Sequence, residues 1–103
     1  MYRRATDDKE VYSQSRVTLR VHPPVAAPDQ NDQSLYTMLR GALRATDMVH
    51  LAASPDGHVC TVDLADTELP GAGMVEQRLA DLLSKRAWVV AGRRSARTGI
   101  RLH

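Results

Sequence analysis

Four arginines, Arg93, Arg94, Arg97 and Arg101, fall within the segment AGRRSARTGIRLH, around Gly92 and Gly99. Guanidinium groups at this density on a glycine-bounded loop can neutralise phosphates and release their counterions, the chemistry of electrostatic nucleic-acid binding. With Lys85 and Arg86 just ahead of them, they form a candidate anion or nucleic-acid contact. A plainer reading makes them the solvated tip of a basic C-terminal hairpin, where charge also discourages edge-to-edge pairing of the last strand. Composition leans the same way. Of the 14 basic residues only Lys9 and Lys85 are lysines, so arginine is the general cation of this chain and its count alone says little.

His50, His58 and Cys60 lie near one another in MVHLAASPDGHVCTVDLA. Zinc takes a tetrahedral set of nitrogen and sulfur ligands, and the neighbouring sequence supplies too few, so no metal or other cofactor is expected. Ser54, Asp56 and His58 are close enough to suggest a nucleophile with its base, but a turn tip lacks the fixed donors that stabilise an oxyanion. Cys60 falls inside a strand pattern, away from any helix end that would make it a thiolate. Gly71 and Gly73 form a lone G-x-G before a helix, without the third glycine of a dinucleotide fingerprint and with Glu76 close by. His50, among apolar neighbours, is the candidate proton-transfer or ligand-binding residue, because burial would tune its charge near neutral pH.

The elements that must carry these residues follow from periodicity. Residues 1–9 have no pattern and are expected to be an arm or tail, leaving 10–103 as a single domain. Ser15, Val17, Leu19 and Val21 alternate with Arg16, Thr18, Arg20 and His22, the period of a half-buried strand. Pro23, Pro24 and Pro28 end it. Leu35, Met38, Leu39, Ala42 and Leu43 recur at helical spacing after a cap at Asp32 or Ser34. Gly41 in that pattern implies a short helix or a close approach.

Ser54-Pro55-Asp56-Gly57 is turn chemistry, predicting a hairpin with Gly57 at positive φ. The register expected from a bulge there pairs Ser54 with His58, Ala52 with Cys60, His50 with Val62 and Met48 with Leu64. DTELPGAG reads as a loop, MVEQRLADLLSKR as a second helix, and AWVVAG and TGIRLH as two strands joined by the arginine loop.

Strand, helix, strand, strand, helix, strand is the order of an α+β, ferredoxin-like βαββαβ sandwich, here with an added C-terminal strand. The alternative is a winged helix, with the arginine hairpin as its wing. No run of about 18 apolar residues exists, so no membrane contact is expected. The start of the chain has no apolar core of a signal peptide. The single Cys60 suits a reducing compartment, so a cytoplasmic location is expected.

The function expected is non-enzymatic: an interaction, assembly or regulatory module that self-associates or docks a protein partner through its sheet. The register places Val49 and Leu51 beside Thr18 and Arg20 on the face away from the helices, making these four the protein interface. The alternatives are nucleic-acid binding by the arginine hairpin, and an enzyme or ligand binder using His50 in the helix–sheet cleft. A nucleic-acid-reading sheet would need aromatic platforms, which this face lacks.

Overall fold

The computed structural model describes residues 11–102, with side-chain surroundings for 14–98. The expected N-terminal arm, residues 1–9, lies outside the described residues. The chain is an α+β fold in the order β1 (Val11–His22), α1 (Asp32–Gly41), β2 (Met48–Ser54), β3 (Gly57–Ala65), α2 (Leu69–Lys85) and β4 (Val89–Leu102). The strands form one antiparallel sheet in the order β2-β3-β1-β4. β1 is central because its alternation buries Ser15, Val17, Leu19 and Val21 beneath the helices. Against them pack Cys60, Val62 and Leu64 of β3, Leu35 and Leu39 of α1, Leu79 and Leu83 of α2, and Trp88.

Four local expectations are corrected. The cap of α1 is Asn31, whose side chain accepts from Ser34 N–H at 3.2 Å, because Asn31 keeps an extended backbone while Asp32 is already helical. LPGAG belongs to α2 rather than to a loop. Pro70 sits in the first turn, where its missing N–H costs nothing, and Ala72 is buried there. The G-x-G is therefore helical, in the first turns of α2.

The hairpin register is one residue from that expected. Ser54 pairs with Gly57, Leu51 with Cys60, Val49 with Val62 and His50 with Thr61, around a two-residue turn at Pro55 and Asp56. No described glycine has a positive φ, so Gly57 is not a left-handed turn residue. It is needed for space: a Cβ there would lie 2.1 Å from the Val21 carbonyl oxygen and 2.9 Å from His22 Nδ1.

Finally, the arginine segment is no hairpin. β4 runs unbroken beside β1, with one extra residue at Ala91 and another at Thr98 where the register shifts. Gly92 and Gly99 flank these β-bulges, a position glycine serves as readily as a turn. The added C-terminal strand is thus the far half of β4, and a winged helix loses its wing.

A buried polar clamp fastens one end of the sandwich. Asp47 is buried and accepts from the Arg44 backbone N–H at 2.8 Å and from its guanidinium at 2.8 Å. Arg44 also donates to the Ala65 carbonyl and to Thr67 Oγ1, and Ser15 Oγ donates to the Thr67 carbonyl at 2.7 Å. The loops after α1 and β3 are thereby joined to β1. At the other end of α2, Ala87 takes φ 66° so that Ala87 and Trp88 N–H groups return to the Ser84 and Leu83 carbonyls.

Two substitutions test this reading by denaturant unfolding. Gly57→Ala should cost about 2 kcal/mol or more, since the obstructing atom is backbone and cannot swing away. Ala87→Gly should stabilise by about 0.5–1 kcal/mol, the relieved left-handed strain less the greater freedom of glycine when unfolded.

Candidate interaction surface

The one-residue register decides which side chains leave the core. Val49 and Leu51, expected on the outer face, pack against the core instead, and His50 takes their place outside. His50 and Cys60, expected on one face, stand on opposite faces of the sheet. His50 has a side chain 63% exposed, with Nε2 3.9 Å from Asp63 Oδ2. The concavities around Ala42 and Leu82 and around Gln30 and Ser34 lie on the helical side, and His50 lines neither. The helix–sheet space expected to be a cleft is filled by fully buried Val17, Leu19, Leu39, Val62 and Leu79.

His58 does face inward. Its Nδ1 lies 2.9 Å from Asp32 Oδ1 without hydrogen-bond alignment, and its ring is 5.9 Å from that of Trp88. Among the described residues no group of three His, Cys, Asp or Glu side chains is placed to hold a metal ion.

The strand pairing also sorts the arginines. Arg93, Ser95 and Arg97 oppose Leu19, Val17 and Ser15, so they share the helix-covered face. Arg93 Nε donates to Glu76 Oε2 at 2.8 Å and its Nη2 to Gln77 Oε1 at 2.6 Å, while Ser95 Oγ donates to Glu76 Oε1 at 2.6 Å. Arg97 is 3.8 Å from Glu68. These groups fasten the edge strand to α2, with the Arg93 guanidinium already engaged by Glu76 and Gln77. The signal was the alternation in RRSAR, which continues the strand period and puts alternate residues beneath α2. Lys85 and Arg86 stand apart, at the end of α2. Arg101 pairs with Tyr12 in the ladder, and its side chain lies outside the described residues.

Arg94 opposes Thr18 on the open face, beside Arg20 and Arg16. Arg16 is held by Asp63, with Nε to Oδ1 at 2.7 Å, and that hydrogen bond together with the carboxylate charge raises the Arg16 pKa. Arg20 and Arg94 have no side-chain partner among the described residues. The Arg20 stem lies across Gly92, whose Cβ would meet Arg20 Cδ at 3.6 Å. Around these cations the sheet is low: Thr18, Val59, Thr61, Ala52 and Ala96 present short side chains. Met48 and Val89, 55% and 47% exposed, mark its two borders. The arrangement is a thinly covered face on which Arg20 of β1 and Arg94 of the edge strand β4 have no side-chain partner among the described residues.

No protein-family model, curated protein or solved structure matches this chain. Among the described residues no helix is long and apolar enough to cross a membrane. The structure defines the protein as an α+β sandwich, with helices covering one sheet face and no described element covering the other.

Cys60 offers a chemical check. Burial, with the charge of Asp32 adding to it, pushes its thiol up to about 12. At pH 8 a thiol reagent should therefore label Cys60 only as fast as the protein opens. At alkaline pH, once the unfolded thiol has ionised above its ordinary value of 9.0 and until the folded one does near 12, stability falls. The fall should be shallower in Cys60→Ala, as read by chemical denaturation across that range.

Proposed function

We propose that this chain is a ferredoxin-like sandwich that serves as a non-enzymatic interaction module, docking an acidic protein surface on the open face of its sheet. The strand order β2-β3-β1-β4 with both helices on one side supports the fold assignment. The observation that carries the function is the pair Arg20 and Arg94, without a side-chain partner among the described residues, on a sheet face that no described element covers. An antiparallel sheet can leave one face in water, so it is the uncompensated charge of this face that points to a partner, and its low side chains let that partner approach the backbone closely.

Charge selects the partner. Among the described side chains this face sets Arg16, Arg20 and Arg94 against one carboxylate, Asp63, which pairs with Arg16, so a second copy laid face to face would oppose guanidinium with guanidinium. An acidic protein surface brings the complementary sign. Nucleic acid shares that sign, but among side chains 14–98 no Phe, Tyr or Trp stands on this face, where the rings a base could stack on are histidines such as His50.

The test is fluorescence anisotropy with a labelled oligoglutamate peptide and a labelled single-stranded oligonucleotide, at low salt. The peptide should bind, and Arg20→Glu with Arg94→Glu should weaken it about tenfold or more. Peptide binding indifferent to that double reversal would remove the reading, and preferential capture of the oligonucleotide would replace it with nucleic-acid binding. Sedimentation of a dimer that Arg94→Glu dissolves would assign the face to self-assembly.

A further inference from the structure

The opposite side of the molecule carries a second unfilled surface. α2 lies against β4 and β1 and α1 against β2, and between the helices runs a groove. Its main cavity, about 620 Å³, is floored by Ala42, Met74 and Leu82. A recess of about 310 Å³ at Met38 and Gly41 adjoins it through the same Ala42 and Leu82. From Met74 to Arg86 the groove follows α2 for about 18 Å at about 1.5 Å per residue, the length of a three-turn helix. Met74 is 71% exposed, a large apolar side chain left in water with a flexible thioether that moulds to what it meets.

Gly41 adds a second observation. It weakens the helix it ends, and beyond its own helical turn no described residue comes within 4 Å of where its Cβ would lie. The space that a glycine leaves is open on the groove side, where another backbone can approach. The far end of the groove is cationic. Lys85 and Arg86 have no side-chain partner among the described residues, and Arg78 spans the helices to the Ala42 carbonyl at 3.3 Å. The one acid in the wall, Asp81, already accepts from Gln77.

We propose that this groove binds an amphipathic helix of a partner protein, its apolar stripe seated on Met38, Ala42, Met74 and Leu82 and its acidic flank facing Lys85 and Arg86. A second copy of this chain is a poor occupant. α1 carries a single acid, Asp32, and of the two in α2, Glu76 is held by Arg93 and Ser95. The proposal does not depend on the sheet face, which lies on the other side of the sheet.

Two labelled peptides decide it by anisotropy: an amphipathic helix with leucines at i, i+3, i+4 and i+7 flanked by glutamates, and its counterpart flanked by lysines. Wild type should bind the glutamate peptide at least about tenfold tighter than the lysine one, and Lys85→Glu with Arg86→Glu should reverse that order. Gly41→Leu, which projects into open space and so leaves the fold intact by circular dichroism, should abolish binding. Arg20→Glu with Arg94→Glu should leave it unchanged, separating this site from the sheet face. Equal binding of both peptides, binding of neither, or binding that survives Gly41→Leu would each overturn the proposal. Laurate occupying the groove where neither peptide binds would overturn it in favour of an anionic amphiphile.

Discussion

The contact between the β2–β3 turn and the end of β1 sets the terms for the rest of the sheet. Gly57 passes so near the Val21 carbonyl that no side chain fits, and His22 Nδ1 meets the Asp56 carbonyl oxygen at 2.8 Å. With Gly57 fixed there, the turn closes over two residues and every side chain of β2 takes its face from that choice. Because the strand period is two, a slip of one residue would turn Val49 and Leu51 outward and bring His50 and Met48 into the core. Burial of Val49 and Leu51 against Val62 and Cys60 opposes that slip, so turn geometry and hydrophobic burial agree.

Electrostatics in this protein follows the same parity. Along β4, Arg93, Ser95 and Arg97 turn toward α2 and meet Glu76, Gln77 and Glu68, whereas Arg94 turns the other way and meets no acid. One arginine-rich segment thus contributes both to holding the edge strand in place and to the charge of the open face. Glu76 is the pivot, half enclosed between helix and strand and bonded from both Arg93 and Ser95. Ion pairs this exposed add little stability singly. Their effect is on geometry, since they keep β4 seated under α2 where its core-facing side chains are polar.

The two surfaces left uncovered have a common origin. Two helices suffice to cover one face of a four-stranded sheet, no described element covers the other, and the two helices leave a groove between them. Each uncovered region keeps cations without side-chain partners among the described residues: Arg20 and Arg94 on the sheet, Lys85 and Arg86 beside the groove. Three acids meet a cation within the chain and leave it no charge to spare, Asp47 on Arg44, Asp63 on Arg16 and Glu76 on Arg93.

Much of the fold was legible in the sequence because it is written in local periods. The alternation from Ser15 to Val21 specified the central strand, and Leu35 with Leu39 specified the inner side of α1, since burial demands apolar residues at the spacing of each element. The turn at Pro55 and Asp56 was equally plain. Its register was not, because whether Gly57 serves a positive φ or a close approach depends on β1, more than thirty residues earlier in the chain. The continuity of β4 was hidden for the same reason. Gly92 and Gly99 suit turns and β-bulges alike, and only a neighbouring strand long enough to pair with both halves makes them β-bulges. The faces of Val49, Leu51, His50 and the arginines all follow from those two pairings, so the candidate sites were decided by tertiary structure. Composition determined which side chains were available; hydrogen bonding to a distant strand decided which of them remain free.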